Sequence, residues 1–177
     1  WSLAIGLAPV GHLEMGYLIV ALGLGGALMA NGLALVLAGF GGAQAQECPT
    51  EPMFVGVSGP NSDVRQSARR VDQGDWRNAA HFASEALESG TSNRNKNAAA
   101  INLCAALANE GDAGTADACA TAIERNPEGW EAFTNRGGAY WLAGDHASAA
   151  ADFARAAELG AGEEAVAHNS ALAQCNG

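Results

Sequence analysis

The chain has 177 residues, of which 49% are apolar and 23 are glycine, and its formal net charge is −10. A chain this acidic does not neutralise phosphates, which argues against nucleic acid as a partner. All 9 Lys and Arg residues and 18 of the 19 Asp and Glu residues follow Ala45, so the amino-terminal quarter differs in class from the rest.

The amino-terminal segment, residues 1–45, predicts an apolar helix. Between Met15 and Ala45 it has no charged residue and consists mostly of Leu, Ala, Gly, Val and Ile. Ala43-Gln44-Ala45 fits the small-x-small pattern of signal peptidase, which favours cleavage between Ala45 and Gln46. The alternative is a retained membrane anchor, because the uncharged run exceeds the ~20 residues that span a bilayer. Both interpretations place the rest of the chain outside the cytoplasm, either exported to the periplasm or anchored in the inner membrane and facing it.

Residues 46–59 predict an extended leader. Prolines and glycines recur from residue 49 to residue 60, and both residue types interrupt helices. The two polar residues before Cys48 argue against lipid attachment to that cysteine. Residues 53–55 are apolar and could reach back onto the segments that follow, although nothing in the sequence requires this contact.

The remainder, residues 60–177, predicts pairs of short helices. Apolar residues recur at helical spacing on both sides of three Gly-Asp turns, which predicts hairpins over about 60–93, 97–129 and 130–163. The turns begin at Gly74, Gly111 and Gly144, spaced by 37 and 33 residues. In the third hairpin the glycine suits the end of one helix and Asp145 the cap of the next. A last helix is expected over 163–175.

The third hairpin, in which residues 135–159 read NRGGAYWLAGDHASAAADFARAAEL, resembles a tetratricopeptide repeat (TPR). The turn spacing is close to the period of about 34 residues in that family. The resemblance covers residues 59–162 and implies an all-α fold, a right-handed α-solenoid of about three TPR hairpins with residues 163–175 as the capping helix. Arg136 departs from the family pattern, which usually has leucine there. The chain thus resembles exported bacterial TPR proteins.

The resemblance implies a non-catalytic scaffold or adaptor that binds a protein, either a peptide or an amphipathic helix, in the concave groove of the first helices. The alternative is a membrane-anchored accessory subunit of a larger complex, associated with the membrane through the apolar segment. The groove positions that the resemblance implies are Val64, Ala68, Val71, Ile101, Ala105, Asn109, Glu131, Thr134, Trp141 and Leu142. If the first hairpin shifts by one residue, Arg65 and Arg69 would face the groove instead and could grip a carboxylate.

The four cysteines predict disulfides, because an even number of cysteines in an oxidising compartment usually pairs. Cys104 lies seven residues before Gly111 and Cys119 eight residues after it, so an antiparallel hairpin would place them at the same level. A second pair, Cys48 with Cys175, requires the leader to return to the last helix. The alternatives for Cys104 and Cys119 are buried thiols or a thiol-disulfide activity, although the chain has no C-x-x-C motif to tune a thiolate.

The sequence predicts no catalytic site. His12, His81, His146 and His168 are isolated from one another, without the spacing of a metal or haem motif. The run from Gly56 to Pro60 lacks the second glycine of a nucleophile elbow. We therefore expect no enzyme activity, no metal and no cofactor.

Overall fold

The computed structural model describes residues 48–176, and all the regular secondary structure in this range is helical. The all-α prediction is confirmed for these residues. The apolar segment and the cleavage site predicted at Ala45 and Gln46 lie outside the described range. None of the described helices is long and apolar enough to cross a membrane. The helices are α1 (Ser62–Asp72), α2 (Trp76–Glu88), α3 (Asn93–Glu110), α4 (Thr115–Arg125), α5 (Trp130–Leu142), α6 (His146–Leu159) and α7 (Glu164–Asn176).

The three predicted Gly-Asp turns end α1, α3 and α5 in the same way. Gly74, Gly111 and Gly144 have φ values of 69°, 66° and 81°, in the left-handed region that favours glycine. In each turn the aspartate N–H donates to a carbonyl five residues earlier, at 2.9 to 3.0 Å, which satisfies one of the free carbonyls of the helix end. The recurring Gly-Asp pairs therefore mark real helix ends.

The aspartates of these turns have different partners. Asp145 accepts from the Ser148 N–H at 3.0 Å and caps α6, as predicted. Asp75 makes no such cap, and its carboxylate instead binds the side chains of Asn78 and Arg70. Only one of these two turns therefore fixes the start of the following helix through its carboxylate.

The helices pack in a regular order. Each helix contacts the next one along the chain, and α1 also contacts α3, α3 contacts α5, and α5 contacts α7. Among the described helices, α2, α4 and α6 make no comparable contacts with one another. The odd-numbered helices therefore form a continuous layer, and each even-numbered helix packs onto its two neighbours in the chain.

Small side chains fill most of the interior. Ala79, Ala122 and Ala149 are fully buried, which lets helices approach closely. The largest buried side chain, Phe153 of α6, packs onto α5 where Gly137 has no side chain; a Cβ there would lie 2.6 Å from the ring. The disulfide between Cys104 and Cys119 joins α3 to α4 with a Cα separation of 4.6 Å, the pairing predicted from their positions around the turn.

Arg136, the residue that departs from the family pattern, forms an ion pair between α5 and α6. Its Nε and Nη2 donate to the two carboxylate oxygens of Asp152 at 2.7 and 2.8 Å. These hydrogen bonds raise the pKa of Arg136, and the Asp152 side chain is only 8% exposed. The bidentate geometry holds the third pair of helices together by charge where a leucine would act by packing.

Candidate peptide-binding face

The leader does not form a helix but crosses the layer of odd-numbered helices. Its residues 49, 51 and 53 contact α7, residue 55 contacts α5, and residue 57 contacts α3. All these contacts use backbone atoms of alternate residues. A period of two is that of an extended chain, in which the N–H and C=O of one residue point to the same side. The described part of the leader thus has the contact period of an extended chain.

Three asparagines hold the centre of the leader. In each case the side-chain oxygen accepts from the backbone N–H of one leader residue, and the side-chain nitrogen donates to the C=O of the same residue, with all six distances between 2.7 and 3.0 Å. We call these asparagines the asparagine row. The pairs are Asn102 of α3 with Val57, Asn135 of α5 with Val55, and Asn169 of α7 with Met53.

The asparagine row is buried, since Asn102 and Asn135 are 0% exposed and Asn169 is 1% exposed. Asn135 also donates to the Ile101 carbonyl at 3.1 Å, and so joins α5 to α3 as well as to the leader. An unpaired buried carboxamide costs about 1–3 kcal/mol. The leader buries these carboxamides and at the same time satisfies both ends of each, so covering them leaves no polar group unpaired.

The amino-terminal end of the leader is attached to α7 covalently. Cys48 and Cys175 form the second predicted disulfide, with a Cα separation of 5.9 Å, and both residues are exposed. Between this disulfide and the asparagine row, His168 Nε2 donates to the Glu51 carbonyl at 2.9 Å. The leader is therefore fixed at one end by a disulfide and at the other by its continuation into α1.

Two side-chain positions of the leader fit closely against the layer. The ring of Phe54 covers Gly138 of α5, where a Cβ would lie 2.7 Å from it, and stands edge-on to Trp76 with a centroid separation of 6.0 Å. A Cβ on Gly56 would lie 2.5 Å from the backbone oxygen of Ala68 in α1. We call the surface formed by these contacts and the asparagine row the leader face.

Several groove positions implied by the TPR resemblance lie beneath or beside the leader. Val71 and Ala105 are buried in the cluster that Phe54 packs against, and Val64 and Ile101 lie in two clusters that Val57 packs against. Arg65 and Arg69 are exposed, and the guanidinium of Arg65 binds the Pro60 carbonyl. The unshifted register of the first hairpin is therefore the one that faces the leader.

The other implied positions lie elsewhere. Trp141 packs against the cluster of Ala149, Phe153 and Leu172, and its ring centroid lies 4.3 Å from that of His146. Thr134 is fully buried and donates to the Trp130 carbonyl. Of the remaining positions, Asn109 and Glu131 are half-buried, and Leu142 is 49% exposed.

The asparagine row is not among the site residues predicted from the sequence. A signal for it exists, because Asn102, Asn135 and Asn169 are separated by 33 and 34 residues, close to the spacing of the Gly-Asp turns. A search for polar residues that recur at the period of the helical pairs would have found them. The contacts of the leader leave no such signal, since they use its backbone.

No protein-family model, no curated protein and no solved structure matches this chain significantly. Within residues 48–176 there is also no group of three or more His, Cys, Asp or Glu side chains placed to hold a metal ion. The leader face is therefore the candidate functional site of the described chain.

Proposed function

We propose that this chain is a non-catalytic peptide-binding protein of the TPR type, which holds an extended segment of a partner protein on its leader face. The single observation that carries the proposal is the asparagine row, in which three buried carboxamides bind both polar groups of alternate backbone residues. The order of helix contacts, in which odd-numbered helices meet in succession, supports a repeat arrangement.

Backbone recognition explains how such a face accepts a partner. The asparagine row contacts only N–H and C=O groups, which every extended segment except one with proline at a contact position carries. Main-chain hydrogen bonds of this kind supply affinity, while the pockets for side chains supply specificity. The face is thus suited to an extended peptide, and less to a helix, whose backbone groups are already bonded internally.

In this proposal the leader is the resident occupant of the binding face, and a partner binds by taking its place. An intramolecular segment competes at an effective concentration in the millimolar range when its tether is short. The disulfide between Cys48 and Cys175 tightens that competition because it fixes the far end of the leader. Opening this exposed bond removes the covalent link between the leader and α7, which makes exchange easier.

We also propose that the protein works in an oxidising compartment outside the cytoplasm, the periplasm. All four cysteines are paired, which is typical of exported proteins. Cys104 and Cys119 are 0% and 1% exposed, which supports a structural bond over a thiol-disulfide activity, since exchange requires access to the sulfur atoms.

The test uses a labelled peptide with the leader sequence PTEPMFVGVSG, residues 49–59, and a variant of the full chain whose own leader cannot seat. This variant, the released chain, carries Cys48→Ser, Cys175→Ser and Gly56→Ala. We expect fluorescence anisotropy to show binding of the peptide to the released chain and none to the oxidised wild type.

Asn135→Ala in the released chain should abolish this binding, and Asn78→Ala, which removes exposed hydrogen bonds to Asp75 only, should not. Circular dichroism verifies that each variant keeps its helices. Equal binding by the Asn135→Ala and Asn78→Ala variants would show that the peptide does not use the asparagine row, and the proposed function would then be wrong.

A further inference from the structure

Two close contacts restrict which segment fits the leader face. We infer that the partner segment carries an aromatic residue followed two positions later by glycine, and that residues 53–57 of the chain are a built-in copy of this pattern. The inference rests on the proposed function and names the chemistry of its partner.

The aromatic position is defined by α5 and its surroundings. Gly138 leaves the space that the ring of Phe54 fills, and Trp76 borders that space with its indole edge-on to the ring. Val71 and Ala105 form the apolar floor. A small or polar side chain here would leave this apolar surface uncovered, so the position selects a flat, large apolar group.

The glycine position is defined by the backbone of α1. A Cβ at residue 56 would lie 2.5 Å from the carbonyl oxygen of Ala68 and 3.0 Å from its carbonyl carbon. These atoms belong to a helix and cannot swing aside as a flexible side chain does. Any residue other than glycine would therefore push the segment away from α1 and lengthen the neighbouring hydrogen bonds to Asn102 and Asn135.

The asparagine row fixes the distance between the two positions. Because it binds residues 53, 55 and 57, the side chains of residues 54 and 56 lie on the same side of an extended chain. A segment that slipped by two residues would bring its aromatic side chain to the glycine position. A segment with the pattern aromatic-x-glycine thus binds in a single register.

The experiment titrates the released chain with four labelled peptides: the leader sequence and its Phe54→Ala, Gly56→Ala and Ser58→Ala versions. Ser58 is exposed and serves as the matched control. We expect the Phe54→Ala and Gly56→Ala peptides to bind about tenfold more weakly or worse, and the Ser58→Ala peptide to bind like the leader sequence.

The outcomes separate this inference from the proposed function. If all four peptides bind equally and Asn135→Ala still abolishes binding, the face reads backbone alone and the inference is overturned while the function stands. If the Asn135→Ala variant binds as well as its parent, the proposed function itself fails. If sedimentation shows that the released chain forms a dimer by exchanging leaders and excludes the peptides, the occupant is a second copy, and the inference is also overturned.

A second measurement covers the case in which the released chain does not fold. In the oxidised full chain, Gly56→Ala is compared with Gly90→Ala, since a Cβ at Gly90 meets nothing within 4 Å. We expect Gly56→Ala, and not Gly90→Ala, to speed hydrogen exchange of the Val55 and Val57 amides by about tenfold or more. Equal protection in the two variants would show that the glycine position is not selective.

Discussion

The leader and the helical layers are held in place by different forces. The helices pack through small buried side chains such as Ala79 and Ala122 and through the ring of Phe153, so their contacts depend on which residues are present. The leader is held at its centre by backbone hydrogen bonds, which depend little on its sequence. Backbone hydrogen bonds can be made by any extended segment without proline at a contact position, so the proposed exchange with a partner concerns the leader and not a helix.

The two disulfides also differ between the helical layers and the leader. The bond between Cys104 and Cys119 is buried within a helical pair and spans 15 residues. The bond between Cys48 and Cys175 is exposed, spans 127 residues and joins the leader to α7. One bond therefore reinforces contacts that packing already makes, and the other links the leader covalently to the helical layer.

The largest expected effect concerns the leader disulfide. In the loop-entropy account, Cys48→Ser with Cys175→Ser lowers the free energy of unfolding by about 5 kcal/mol, because a long loop is no longer closed in the unfolded chain. The corresponding figure for Cys104→Ala with Cys119→Ala is about 3 kcal/mol. Urea unfolding of the two double variants, followed by circular dichroism, measures both values.

A dithiol reductant provides the control for this comparison. Under native conditions we expect Cys48 and Cys175 to be reduced and alkylated first, as mass spectrometry of the peptides would show, since exchange needs access to the sulfur atoms. Alkylation of Cys104 and Cys119 at the same rate would mean that the helical pair opens as readily as the leader detaches. The contrast between the two regions would then be wrong.

The next effect in size concerns the asparagine row. Asn135→Ala removes a buried carboxamide that bonds Val55 twice and the Ile101 carbonyl once, and it leaves the N–H and C=O of Val55 without this partner. We expect a loss of about 3 kcal/mol in the free energy of unfolding, measured with urea. Asn109→Ala removes one bond of a half-buried residue to its own helix and should cost about 0.5 kcal/mol or less. Similar losses for both variants would show that the leader adds nothing to the stability of the layer.

The sequence predicted the helices and their turns well because both depend on local patterns. Apolar residues at helical spacing and glycines at Gly74, Gly111 and Gly144 mark the elements without reference to distant contacts. Apolar periodicity does not predict the asparagine row, because these residues are polar and become buried only when the leader covers them. Its existence depends on contacts between residues 80 positions apart, such as Asn135 with Val55.

The groove positions implied by the TPR resemblance also depend on long-range contacts that a local pattern does not reveal. Val71 and Ala105 belong to the cluster that Phe54 packs against, whereas Trp141 packs against the cluster of Ala149, Phe153 and Leu172. An aromatic residue on a helix fits either role by its pattern alone. Only the positions of the neighbouring helices decide which surface it covers, and the role of Trp141 in partner binding stays a prediction.

Two adjacent glycines of α5 allow the leader and the helical interior to be compared by adding one methyl group to each. Gly137 faces the buried ring of Phe153, and Gly138 faces the ring of Phe54 in the leader. We expect Gly137→Ala to lower the free energy of unfolding by about 1–3 kcal/mol, since it overpacks the helical interior. Gly138→Ala should change it by less than about 1 kcal/mol, because the gain in helix propensity offsets the displaced ring. Urea unfolding measures both.

Hydrogen exchange of the Val55 amide distinguishes the two glycine variants further. It should become faster in Gly138→Ala, in which the displaced ring of Phe54 loosens the leader, and keep its wild-type protection relative to global unfolding in Gly137→Ala. If Gly138→Ala leaves this amide fully protected, the ring of Phe54 does not help to hold the leader, and the backbone bonds alone explain its position.

The smallest effect lies wholly within the helical region and concerns the cap of α6. The hydrogen bonds from the side chain and backbone of Ser148 lower the pKa of Asp145 below its ordinary value of 3.8. Because the pKa is lower in the folded state, the carboxylate stabilises the fold at pH values above the ordinary pKa. This stabilisation is lost as the pH falls from the ordinary pKa through the lowered one. Asp145→Asn keeps a capping oxygen without a charge, so we expect nearly unchanged stability at neutral pH and a shallower decrease in acid. Thermal unfolding from about pH 6 down to about pH 2 measures the difference. Because this cap lies away from the leader, hydrogen exchange at Val55 relative to global unfolding should not change in Asp145→Asn, and a change there would mean that the two regions are coupled.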